Sequence, residues 1–288
     1  MERRISRRIF IVGCPRSGTT LLQSLLSAHP WVASFPETHA FAQMVPRRTV
    51  PRLLGLTRPA GREALARTFQ ELGAGRHPLG LGTLFYRLAA KRLIDLLDRA
   101  ALVRGFEAWV EKTPRHLHYM VAIRRAVPHA CFVHMVRRGE DVVASLYAVS
   151  RQAPQAWGPP KALDECIDRW LLDVGVTAAH LGSPGHDLVV YEHLVRDPES
   201  VLRLLCAALD LPYDHGMILG YRREAARLVR PEESWKQEAV SPIRSPSSGK
   251  FERLFSAAEQ RYVRERLLPG QRLLESRLGE RPAASTVR

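Results

Sequence analysis

Apolar residues along the chain follow two periods. Short runs at Ile9 to Val12, Trp31 to Phe35, Phe106 to Val110, Ala130 to Val136 and Asp187 to Tyr191 have the length and the β-branched or aromatic content of strands. The 130 to 136 run is apolar at nearly every position, as a central parallel strand covered on both faces requires. Between these runs the spacing turns helical: Leu21, Leu22, Leu25 and Leu26; then Leu84, Phe85, Leu88, Leu93, Leu96 and Leu97; then Cys166, Ile167, Trp170, Leu171 and Val174. Further helices are predicted around 116 to 127, 198 to 209 and 257 to 268. The pattern weakens in three places. Residues 40 to 80 carry Pro46, Pro51, Pro59 and Pro78, with helical spacing only around 62 to 72; 151 to 160 is a Pro-rich break; and 211 to 248 has many turn residues and little regular period. Strands alternating with helices predict an α/β chain. With no internal repeat and no low-complexity linker, residues 1 to 288 read as one domain, with 40 to 104 an insertion or lid and 280 to 288 a flexible tail.

The first strand and first helix are joined by Gly13-Cys14-Pro15-Arg16-Ser17-Gly18-Thr19-Thr20. Glycines five positions apart, between a strand and a helix, suit a loop whose backbone N–H groups close on an anion at the helix N-terminus. A nucleotide-triphosphatase loop would follow the second glycine with Lys and then Ser or Thr. Here Thr19 and Thr20 stand there and the cation comes earlier, at Arg16. A guanidinium grips a terminal oxyanion bidentately and keeps its charge. The loop therefore reads as a cradle for a 5′-phosphate and sulfuryl group.

Other strand ends carry matching chemistry. Glu37, just after the second strand, is the candidate general base, with His39 in reserve. Lys112, after the 106 to 110 run, would point an ammonium at the loop's anion and replace the lysine that the loop lacks. Arg137 leaves the 130 to 136 strand and Ser145 lies about two helical turns on, so the two can converge on one phosphate. Gly249 beside Lys250, after Ser248, is a weak signal by itself.

Composition narrows the partners. The chain is 45% hydrophobic and 25% charged, with 43 Lys and Arg against 29 Asp and Glu, a net +14 that favours an anionic ligand or surface. Nucleic acid is the other reading of that charge, but no block of five or six basic residues occurs. Cys14, Cys131, Cys166 and Cys206 are far apart, with no Cys-x-x-Cys pair and no metal-ligand spacing, so a reducing cytoplasm and no metal are expected. The basic start is followed by only about five apolar residues, too few for a signal peptide, and no run reaches the ~18 apolar residues of a membrane span.

On Pro15-Arg16-Ser17-Gly18-Thr19-Thr20 the chain resembles the PAPS-dependent sulfotransferases, in particular the bacterial and tyrosylprotein-type branch. The likeness extends over about 8 to 39, 106 to 150, 186 to 212 and 245 to 268 and leaves out the 40 to 104 insertion. It implies a P-loop-type three-layer α/β/α fold with a parallel sheet of about five strands, binding PAPS at the strand C-termini. It further implies that Glu37 deprotonates an acceptor hydroxyl, and that Lys112 helps hold the sulfuryl group. Arg137 with Ser145 would clamp the 3′-phosphate, over which Ser248, Gly249 and Lys250 fold. Tyr191 stands where the family writes Tyr-Glu-x-Leu, and either contacts the nucleotide or packs.

The expected activity is in-line sulfuryl transfer from PAPS to a hydroxyl on a carbohydrate, lipid, peptide or natural product, small or polymer-linked, with a homodimer left open. No Walker-B-like Asp ends a strand, so a Mg²⁺ site is not expected. Full activity without Glu37 would move the base to His39 or His116. Rival readings are a small-molecule kinase using ATP and Mg²⁺, a basic nucleic-acid-binding module, and a sulfotransferase relative that only binds.

Overall fold

The computed structural model describes residues 4–46, 48–73, 81–230, 233, 235–236, 240–243 and 249–279, without the side chains of residues 52, 81 and 82. Five parallel strands form one sheet: β1 (Arg7–Gly13), β2 (Val32–Phe35), β3 (Ala108–Lys112), β4 (Ala130–Val136) and β5 (His186–Val190), in the order β2-β3-β1-β4-β5. Parallel pairing forces each connection back across a face of the sheet, so helices cover both sides and the strands carry apolar residues at nearly every position. Along β1, Phe10 and Val12 pack on one face with Phe35, Trp109, Phe132 and the helix Tyr86–Val103. Ile9 and Ile11 pack on the other with Val110, Val133, Met135 and the helices Thr19–Ser27 and Pro198–Ala208. A third cluster joins Val136 and Leu188 to the helices Gly139–Gln152, Leu163–His180 and Ala257–Gly279.

The topology places the site. From β1 the chain goes first to β2 and β3 on one side, then crosses to β4 and β5 on the other. The loops leaving β1 and β4 therefore diverge, and a crevice opens at their carboxyl ends.

Four details depart from the sequence reading. β3 runs through Glu111 and Lys112, which pair with Phe10 and Ile11 of β1, so both ionisable residues lie inside a buried strand rather than beyond it. The helix expected from His116 begins as a 3₁₀ turn, Pro114–Tyr119, before the α-helix Met120–Ala126. Inside the stretch of weak pattern, Gly216–Leu228 is a helix. It buries only Met217, Tyr221 and Ala225, a stripe too narrow to stand out among its arginines, and Asp214 accepts from the Gly216 N–H at 2.7 Å at its start. The last helix runs to Gly279 through Pro269, where Gly270 lets it lie against Trp170: a Cβ there would sit 2.6 Å from the indole ring. Among the described residues no helix is long and apolar enough to cross a membrane.

Candidate active site

The loop after β1 is built on close approaches that only glycine allows. A Cβ on Gly13 would lie 2.3 Å from the Met135 carbonyl oxygen of neighbouring β4, and one on Gly18 would lie 2.4 Å from the Tyr191 ring. Gly18, at φ 91°, opens the helix Thr19–Ser27, which has no side-chain cap and no acidic residue in its first turn. Its N-terminal amides thus point into the loop with the positive end of the helix dipole. Arg16, at φ 75°, is turned the same way.

Two cavities meet here. The first is lined by Arg16, Gly18, Thr19, Thr20, Arg137 and Tyr191, with Trp235 and Lys236 across the opening. Arg16 donates from Nε to Ser145 Oγ (3.0 Å) and from Nη2 to the Trp235 carbonyl (2.9 Å). The Arg137 guanidinium lies 4.3 Å from the Tyr191 ring centroid and 3.9 Å from Asp141. Arg138 lines neither this cavity nor the one beside it, and its backbone N–H donates to Glu192 at 3.0 Å. Residues from the ends of β1, β4 and β5 are thereby gathered in one crevice, and Arg16 and Arg137 share it.

The second cavity shares Thr20 and Lys236 with the first and adds Glu37, His39, Lys112, Arg67, Glu71 and Arg230. Lys112 Nζ contacts Glu37 Oε1 and donates to Thr20 Oγ1 at 3.3 Å; Lys236 Nζ donates to Glu37 Oε1 at 2.8 Å and pairs with Glu233. His39 Nε2 is 3.5 Å from Glu37 Oε2. Burial favours the protonated form of Glu37, but the two ammonium groups outweigh it and hold the carboxyl well below the usual range. Burial lowers the pKa of Lys112, whose side chain is only 2% exposed, and Lys236 pushes it further down against the pull of Glu37. Burial likewise lowers that of His39.

Behind this cavity Glu111 anchors the segment that carries Glu37. Its Oε1 accepts from the Thr38 N–H (3.1 Å), the Thr38 hydroxyl (3.0 Å) and the Thr113 hydroxyl, while Oε2 is 3.0 Å from His116 Nδ1. His116 is fully buried on Glu111 and lines neither cavity. The reserve base on this wall is therefore His39.

Other predicted residues stand apart. Ser17 is 1% exposed with its hydroxyl unpartnered, facing a small void beside Cys14, Met135 and Trp170 rather than the crevice. Pro15 shapes the loop from outside both cavities, and Gly249, at φ 61°, opens the helix Lys250–Leu254; neither it nor Lys250 lines either of these two cavities. Ser248 lies outside the described residues. Lys236 and Trp235 were missed by sequence reasoning: they sit on a stretch with no regular period, where a lone Trp-Lys pair carries no signal. Tyr191, left undecided, is placed on the crevice wall by its position at the end of β5. Among the described residues, no three His, Cys, Asp or Glu side chains are grouped as a metal site.

The chain is similar to known sulfotransferases. The chain is 27% identical to Protein-tyrosine sulfotransferase A of Caenorhabditis elegans over 252 residues, covering 83% of this chain and 60% of that protein. It is 28% identical to Protein-tyrosine sulfotransferase 1 of Danio rerio over 219 residues, covering 73% and 55%. It thus spans little more than half the length of these relatives. The fold is shared with the sulfotransferase domain of the Synechococcus PCC 7002 olefin synthase (TM-score 0.57, 19% identity, 98% of each chain). It is also shared with mouse sulfotransferase SULT7A1, solved in complex with PAP (TM-score 0.56, 13% identity, 93% and 88% of the two chains). Residues 8–215 match the model of the sulfotransferase family, and the chain belongs to that family.

Proposed function

We propose that the chain transfers the sulfuryl group of PAPS to a hydroxyl presented beside Glu37. One observation carries this reading: the crevice shared by Arg16 and Arg137 opens, past Thr20 and Lys236, into the cavity that holds Glu37. The crevice fits a nucleotide bisphosphate. Its loop admits no Cβ at Gly13 or Gly18, its helix start is uncapped, and two guanidinium groups line its wall. PAPS supplies a sulfuryl group already activated by its bond to the 5′-phosphate, which breaks as the acceptor oxygen bonds to sulfur.

The residues of this chain do the rest. Arg16 and the amides of Thr19 and Thr20 hold the 5′-phosphate end, and Arg137 with Ser145 holds the 3′-phosphate. Lys236, at the junction of the cavities, and Lys112, in the second of them, neutralise charge growing between donor and acceptor. Glu37 takes the acceptor proton. Gripped by two ammonium groups it is a weak base, so a donor whose oxygens draw Lys236 away makes Glu37 more basic as the site fills. Glu111 acts as a positioning residue, fixing the Thr38 backbone beside the base. The unit is one domain in which Ala64, Arg67, Thr68 and Glu71, from the segment after β2, form the acceptor-side wall. Incubating the protein with sulfur-labelled PAPS and an extract of its source organism tests the reading: label should pass to a hydroxyl compound with wild-type protein and not with Glu37→Gln.

A further inference from the structure

Among the described residues, the segment after β2 carries large apolar side chains that stand exposed. Val50, Leu53 and Leu54 are 66%, 80% and 61% exposed, and Leu84, Phe85 and Leu88 are 37%, 47% and 47% exposed. These two groups form one surface. Leu56 bridges to Phe85, the Tyr86 N–H donates to the Gly55 carbonyl (2.9 Å), and the Leu54 N–H donates back to Val50 (3.0 Å). Leu88 lies one turn beyond Phe85 on the helix Tyr86–Val103, whose opposite side, through Tyr86, Ala89 and Ala90, is buried in the core. Large apolar side chains exposed together in this number mark an interaction surface.

Charge identifies the occupant. No Asp or Glu occurs from residue 38 to 62 or from 72 to 94, whereas Arg48, Arg87 and Lys91 are exposed around the patch. A second copy of the chain related by a two-fold axis would set these cations against their own kind, which opposes self-association through this face. A polyanion without an apolar interior would engage the arginines and leave the leucines wet. A surface that is anionic outside and apolar just beneath satisfies both sets, and the chain's net charge of +14 adds long-range attraction.

We propose that this face docks on an anionic phospholipid bilayer, Leu53, Leu54 and Phe85 entering the headgroup boundary while Arg48, Arg87 and Lys91 pair with lipid phosphates. The proposal is independent of the transfer reaction.

Co-sedimentation with phosphatidylglycerol–phosphatidylcholine vesicles and with phosphatidylcholine vesicles tests it. Wild type should partition to the anionic vesicles at least tenfold more than to the neutral ones, with the difference shrinking as salt rises. The double variant Leu53→Ser, Leu54→Ser should lose at least tenfold of that partitioning, and Arg87→Gln, Lys91→Gln a similar amount, with melting temperature checked for each. The wild-type comparison of the two vesicle types needs no variant. The proposal is overturned by equal partitioning to both vesicles, by unchanged binding of the serine variant, or by a concentration-dependent dimer that the serine variant abolishes.

Discussion

Arg16 and Ser145, 129 residues apart in the chain, are joined by a hydrogen bond of 3.0 Å from the guanidinium Nε to the hydroxyl oxygen. The loop after β1 is thereby tied to the helix after β4, Gly139–Gln152. A hydrogen bond to a charged group contributes ~1.5–3 kcal/mol. Ser145→Ala should therefore weaken binding of adenosine 3′,5′-bisphosphate by roughly ten- to a hundredfold in Kd, with Ser145→Thr close to wild type. Titration calorimetry reads this directly, and an unchanged Kd would remove Ser145 from the clamp.

Glu37→Gln keeps the shape of the acceptor wall but removes the proposed proton acceptor. Loss of a general base lowers kcat by ~10²–10⁴-fold. Bisphosphate binding should persist within a few-fold, because the donor crevice does not include Glu37. Steady-state kinetics on a responsive acceptor decides it: wild-type kcat in Glu37→Gln, together with a large loss in His39→Asn, would transfer the role to His39.

Lys236 lines both cavities and donates to Glu37 at 2.8 Å. Lys236→Met should lower kcat/KM for PAPS by roughly ten- to a hundredfold, the worth of a charged contact, and Lys236→Arg should restore much of it. Equal kcat/KM in wild type and Lys236→Met would mean that the ammonium only decorates the opening.

The pH profile follows from the direction of the Lys112 shift. Burial and the neighbouring Lys236 favour the uncharged amine, so the ammonium is lost as pH rises, below the ordinary lysine value of 10.5. Among the groups facing Lys112, the Glu37 carboxylate works the other way. The alkaline limb of kcat/KM, which reports the free enzyme, should therefore begin below 10.5 and move upward in Lys236→Met, where one repelling charge is gone. A limb that does not move in that variant would show that another group sets it.

Much of this site is legible in the sequence wherever a residue is tied to a strand end. Arg16, Glu37 and Arg137 each follow an apolar run whose period announces a strand, and parallel strands deliver their carboxyl ends to one edge. Lys112 is legible as a cation beyond the 106 to 110 run and directed at the loop, but its burial is not: only the register with Ile11 shows that it lies inside β3. Lys236 and Trp235 were invisible because their place depends on a segment held by remote contacts, such as Arg16 to the Trp235 carbonyl, and not by any local period. The helix Gly216–Leu228 escaped for a related reason. Its narrow buried stripe exists only because the helix Thr19–Ser27 is there to receive it.

In the proposed reaction one crevice grips both ends of a doubly phosphorylated adenosine through Arg16 and Arg137. Calorimetric titration of wild type and Arg137→Ala with adenosine 3′,5′-bisphosphate and with ATP and Mg²⁺ tests it most directly. Wild type should prefer the bisphosphate, and Arg137→Ala should lose roughly ten- to a hundredfold of that affinity. Tighter binding of ATP with Mg²⁺, or a bisphosphate affinity indifferent to Arg137, would contradict it.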